Sequence, residues 1–98
     1  MSFIIVLAKI TPKKGCTDTI VEISKELIET TLEEDGNIDY QLLQSTECDN
    51  LTFVEKWESP DALKKHMASP HFLNFGEESD EFIENMTIQV IGADELDL

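Results

Sequence analysis

Residues 38–57 read IDYQLLQSTECDNLTFVEKW, and this stretch decides the fold. Ile38, Tyr40 and Leu42 alternate with polar neighbours, the two-residue period of a half-buried strand. After the polar segment 46–50 the alternation resumes. Leu51, Phe53, Glu55 and Trp57 then share one face, and Thr52, Val54 and Lys56 the other. Two alternating runs joined by a short polar link predict a β-hairpin. A lone hairpin is barely stable in water, so its apolar face must be covered by other elements.

Working outward, residues 17–35 change period. Ile20, Ile23, Leu27 and Ile28, continued by Thr31 and Leu32, fall at helical spacing. Thr19 and Glu22 have the spacing of a capping box, Asp18 adds negative charge at the helix start, and Gly36 serves as the stop. Ahead of this helix, residues 3–10 (FIIVLAKI) predict a strand apolar on both faces, Phe3, Ile5 and Leu7 on one and Ile4, Val6, Ala8 and Ile10 on the other. Beyond the hairpin, Ser59-Pro60 and Ser69-Pro70 each place a capping residue before a proline suited to a first helical turn. They predict a short helix over 60–67 and a second over 70–85, the latter carrying Phe72, Phe75, Phe82 and Met86 on one stripe. A last strand over 87–91 and an acidic tail over about 93–98 complete the chain.

The order β-α-β-β-α-α-β predicts an α+β fold, a ferredoxin-like βαββαβ sandwich with helices on one face of a four-stranded antiparallel sheet. The first strand is apolar on its other face as well. A second copy of the chain is the simplest cover, which predicts a homodimer packed through the open sheet face.

At 98 residues, the span 1–98 forms a single domain. Seven basic against 21 acidic residues give a net charge of −14, which disfavours nucleic acid and anionic membranes as partners. No apolar run is long enough to span a bilayer, and MSFIIVLAKI does not read as a signal peptide, so a cytoplasmic protein is expected. Cys16 and Cys48 lack metal-ligand spacing and are expected in loops as thiols.

No metal, phosphate or nucleophile motif is present, so no metal and no cofactor are expected. Candidate chemistry rests instead on polar residues at apolar-facing positions. His66 shares a helix face with Leu63 and Met67, as a proton carrier or as a packed histidine. His71 stands in a first helical turn, where the helix N-terminus disfavours its cation; it is a candidate base or a capping residue. Glu55 and Trp57 share a strand face with Phe53. A carboxylate there needs a partner, and an indole N–H can orient a bound oxygen. Tyr40 and Asn37 could bind a polar ligand, or serve only as a strand tyrosine and a turn asparagine.

The stretch FVEKWESPDALKKHMASPHFLNF, residues 53–75, resembles the signature of antibiotic biosynthesis monooxygenase domains. It carries an aromatic-x-Glu-x-Trp-x-Ser strand end (Phe53, Glu55, Trp57, Ser59), an Ala-Leu-x-x-His helix ending on His66, and a Ser-Pro-His-aromatic start at Ser69. The segment EDGNIDYQLLQS, residues 34–45, is similar to the family's Glu-x-Gly-x-x-x-Tyr strand entry. The resemblance covers nearly the whole chain and implies a dimeric α+β barrel. It also places His66 and His71 as catalytic candidates and Trp57, Glu55, Tyr40 and Asn37 as substrate-binding candidates. The family's haem-degrading branch has an asparagine where this chain has Leu7 or Ala8, and a histidine where it has Phe75 or Gly76. Both departures argue against haem degradation. The resemblance thus implies a cofactor-independent monooxygenase that oxidises a small quinol or polyphenolic aromatic with O₂. The alternatives are an isomerase of a small signalling metabolite and a non-catalytic ligand-binding dimer. Lys56, Lys64 and Lys65 are the only cations expected near the site, so a phosphorylated substrate fits poorly.

Overall fold

A computed structural model describes residues 2–98. Strand β1 spans Ser2–Pro12, helix α1 Thr17–Leu32, β2 Asn37–Gln44 and β3 Leu51–Trp57. Helices α2 and α3 span Pro60–Met67 and Pro70–Ser79, a 3₁₀ turn follows at Asp80–Phe82, and β4 spans Ile83–Asp94. The four strands form one antiparallel sheet in the order β2-β3-β1-β4. This is the ferredoxin-like α+β arrangement, with β2 and β3 joined as the expected hairpin.

Register fixes what the helices see. One row across the sheet is Tyr40, Glu55, Val6 and Val90, and the next is Leu42, Phe53, Ala8 and Ile88. Val6, Ala8, Ile10, Phe53 and Trp57 are buried beneath Ile20 and Leu27 of α1, Leu63 of α2 and Phe75 of α3. The helices do not reach β4 on this face, and Met86, Ile88 and Val90 stay 38–57% exposed. On the opposite face, alternation places Phe3, Ile5, Leu7 and Val54, all half-buried, beside the exposed Ile91 and Leu43. That face is an apolar strip with no helix over it.

Four local expectations are corrected. The capping box does not form: α1 starts two residues before Thr19, with Cys16 at its N-cap, and Glu22 instead pairs with Lys25 at 2.8 Å. Gly15, at φ +78°, and a bond from Cys16 N–H to the Lys13 carbonyl close the turn early enough to begin the helix at Thr17. Ile38 does not share a face with Tyr40. The register slips between Asn37 and Asp39, and the extra residue is expelled to 48% exposure. The last helix stops at Ser79, so Met86 lies on β4 rather than on a helical stripe. Finally, β4 continues to Asp94 and absorbs the start of the acidic tail.

The Ser-Pro steps behave as read. Ser59 Oγ accepts from Ala62 N–H at 3.1 Å, and Ser69 Oγ from Phe72 N–H at 3.3 Å. Both cysteines are free thiols. Among the described residues no helix is long and apolar enough to cross a membrane.

Candidate functional site

Between the helices and the β1–β3–β4 part of the sheet lies a cavity of about 290 Å³. Its walls are almost wholly apolar, with Val6, Phe53, Leu63, Phe72 and Phe75 prominent. Tyr40, Glu55, His66, Ser79 and Asp80 bring the polar side chains, and among the described residues no lysine or arginine lines the space. The exposed residues of β4 form its rim, since the helices stop short there.

His66 sits near the end of α2 and is fully buried. Helical spacing from Leu63 turns it inward, and aromatic rings hold it there. Its ring centroid lies 4.7 Å from Trp57, 5.3 Å from Tyr40 and 5.0 Å from Phe72. Nδ1 is 2.6 Å from Glu34 Oε2. A carboxylate oxygen accepts, so this contact places the imidazole proton on Nδ1 and the lone pair on Nε2. Nε2 is buried and has no protein partner. Burial pulls the pKa of His66 down, against the opposing pull of Glu34, and favours the neutral ring. The result is an oriented imidazole with one nitrogen buried and unpaired, on a residue that lines the cavity.

Glu34 reaches this position through the turn after α1. Gly36 makes the turn possible. Its φ is +86°, and a Cβ there would stand 2.6 Å from Ala62 Cβ on α2. Only glycine lets the turn approach α2 so closely, and that approach sets Glu34 against His66. Sequence reading did not single out Glu34, although it is the acidic residue of the Glu34-x-Gly36-x-x-x-Tyr40 motif. Its role depends on a helix 32 residues further along the chain, which strand and helix periodicity do not report.

Glu55 projects from β3 onto the cavity wall at 6% exposure. Trp57 Nε1–H donates to its Oε1 at 3.0 Å. Burial raises the carboxyl to about 7, the indole bond opposes the rise and Glu34 adds to it. Tyr40 stands next to it in register, and burial, then the charges of Glu55 and Glu34, keep its phenol protonated.

The other candidates lie outside the cavity wall. The indole N–H of Trp57 is already given to Glu55 and is not offered to a ligand. The amide of Asn37 donates to the Asp39 carbonyl at 3.1 Å, bridging the β-bulge. His71 faces the far side of Glu34, with Nε2 at 3.1 Å from Glu34 Oε2 and 3.2 Å from Ser69 Oγ. The first turn of α3 aims it there, 5.8 Å from His66 between ring centroids. The fold therefore gathers Glu34, His66 and His71, a set that spacing along the chain does not reveal.

The chain is similar to known proteins. The family model of antibiotic biosynthesis monooxygenase matches residues 3–78. A Mycobacterium tuberculosis protein named as a putative monooxygenase is 31% identical over 70 residues, covering 71% of this chain and 69% of its own. A conserved protein from Methanosarcina mazei has a crystal structure that superimposes with a TM-score of 0.89 at 32% identity, over 93% of this chain and 92% of that one. The solved structure of a Mycobacterium tuberculosis protein superimposes with a TM-score of 0.83 at 27% identity, over 98% and 97% of the two chains. The chain belongs to the antibiotic biosynthesis monooxygenase family.

Proposed function

We propose that the protein is a cofactor-independent monooxygenase that oxidises a small, uncharged quinol or polyphenolic aromatic with O₂. One observation carries this reading: His66 lines an apolar cavity with its buried Nε2 unpartnered and its Nδ1 held by Glu34. An electron-rich hydroxyarene must lose a proton before it passes an electron to O₂. His66 Nε2 takes that proton, and Glu34 stabilises the imidazolium that results. The substrate supplies all four electrons. One oxygen atom enters the ring and the other leaves as water, so a hydroxyarene and O₂ yield a quinone and water. Tyr40 and protonated Glu55 donate hydrogen bonds to oxygen that becomes anionic. The apolar walls suit both the ring and O₂, and the lack of a cation disfavours a phosphorylated substrate.

Oxygen uptake by the purified protein, measured against a panel of quinols and polyphenols, tests this. His66→Ala is expected to lower turnover at least tenfold. Unchanged turnover removes His66 as the base.

A second reading rests on the paired proton carriers. A neutral imidazole and a carboxyl near 7 on one cavity could move a proton between substrate atoms, as an isomerase does, without consuming O₂. A purely ligand-binding role is less favoured, because a cavity adjoins His66. The uncovered apolar strip on the open sheet face supports a homodimer joined through that face.

A further inference from the structure

We propose that Glu34, His66 and His71 form a binding site for a divalent transition metal of the Zn²⁺ class. The site lies on the solvent side of His66, opposite the cavity. One ligand atom from each residue, Glu34 Oε2, His66 Nδ1 and His71 Nε2, falls within 4.8 Å of the others. Two imidazole nitrogens and a carboxylate oxygen are a donor set that zinc, cobalt, nickel and copper prefer, whereas Mg²⁺ and Ca²⁺ prefer oxygens alone.

Two of the three ligand separations lie near the tetrahedral value, and the third, between His66 Nδ1 and His71 Nε2, is within 4.8 Å. Ligand atoms about 2.0 Å from a tetrahedral ion stand roughly 3.3 Å apart. Glu34 Oε2 lies 3.1 Å from His71 Nε2 and 2.6 Å from His66 Nδ1. The second separation must open by several tenths of an ångström. Glu34 can supply that movement, because it is a long side chain on a turn and is 17% exposed. His66 stays fixed by its ring contacts. His71 is 18% exposed, so an ion reaches the cluster from solvent without crossing the cavity. The net charge of −14 favours approach of a cation.

Binding displaces the proton from His66 Nδ1 and likewise from His71 Nε2, and each neutral ring then carries its proton on its other nitrogen. The ion and the proposed substrate therefore compete for one imidazole through opposite nitrogens. This competition rests on the proposed role of His66 as base; the metal site itself does not.

The test uses chelator-stripped, otherwise intact protein. Zn²⁺ titrated by calorimetry is expected to bind with one-to-one stoichiometry and to be undisturbed by excess Mg²⁺ or Ca²⁺. Bound Co²⁺ is expected to give visible ligand-field absorption, a measurement that needs no variant. ¹⁵N spectra of the imidazoles are expected to move the His66 proton from Nδ1 to Nε2. His71→Gln is expected to weaken binding at least tenfold with the circular dichroism of the fold retained. Several weak sites that Mg²⁺ displaces, or binding equal in His71→Gln, overturn the proposal and assign the ions to the acidic surface. Zn²⁺ binding in a protein that, when stripped of metal, consumes no oxygen with any quinol or polyphenol of the panel overturns the quinol-oxidising reading and leaves the metal site standing. Binding without inhibition of an active enzyme overturns the competition.

Discussion

Replacing Glu55 by Gln changes one proton equilibrium and little else. Gln keeps the shape and an acceptor for the Trp57 N–H, but it cannot ionise. In the native chain burial raises this carboxyl from 4.5 to about 7. Between those values the folded protein binds more protons than the unfolded chain. The stabilisation is fully present below about pH 4.5 and is lost as the pH rises through about 7. The displacement corresponds to about 3 kcal/mol. His66 acts in the opposite sense: its lowered pKa costs stability as pH falls below 6.5. Both chains share that contribution, so it cancels in their difference. Urea unfolding followed by the fluorescence of Trp57, the sole tryptophan, gives the stability of each chain at each pH. Glu55→Gln is expected to gain roughly 2–3 kcal/mol on the native chain between about pH 5 and pH 8. Curves that stay parallel within about 0.5 kcal/mol would refute the placement of a neutral Glu55 on the cavity wall.

Three other changes probe the scaffold. Gly36→Ala forces a side chain into left-handed backbone and against Ala62, and should cost about 1–2 kcal/mol in thermal or urea unfolding. It should also push α2 away, lengthen the Glu34–His66 contact and reduce turnover. Ser69→Ala removes the cap of α3 and the 2.6 Å bond to the His66 carbonyl, and should cost about 1 kcal/mol, read as a lower midpoint in urea. Leu7→Asp puts a charge in the middle of the open sheet face; gel filtration should then report a monomer with the circular dichroism of the parent.

Element order and topology were legible because they follow from periodicity. The hairpin, the two Ser-Pro helix starts and the two-faced first strand each carry a local signal that tertiary packing then used. The boundaries were less legible where backbone geometry intervenes. The bulge that expels Ile38 costs one residue of register and leaves no mark in the alternation. The end of α3 at Ser79 is set by the need to enter β4, while Phe82 and Met86 continue to fit a helical stripe. At the candidate site, His66 and Glu55 were singled out because polar residues on apolar faces stand out. Glu34 was not, since it belongs to no apolar face of its own. The surroundings of Asn37 and Trp57 were legible only in part. Their polar groups were visible in the sequence, but the partners that satisfy them, the Asp39 carbonyl and Glu55, depend on local geometry.

The two histidines lie close together in the sequence, one in the last turn of α2 and one in the first turn of α3, and the fold gives them different surroundings. His66 is at the end of its helix, its side chain 1% exposed, with one nitrogen on Glu34 and the other buried and unpaired. His71 is at the start of the next helix, 18% exposed, with Nε2 on the same carboxylate oxygen. A base that works on an apolar substrate needs a dry lone pair, which only His66 has. An ion arriving from water needs donors it can reach, which His71 and Glu34 supply. One carboxylate between two imidazoles thus links the buried ring of His66 to the more exposed His71, and in the proposed metal site an ion bound there would decide which nitrogen of His66 carries the proton.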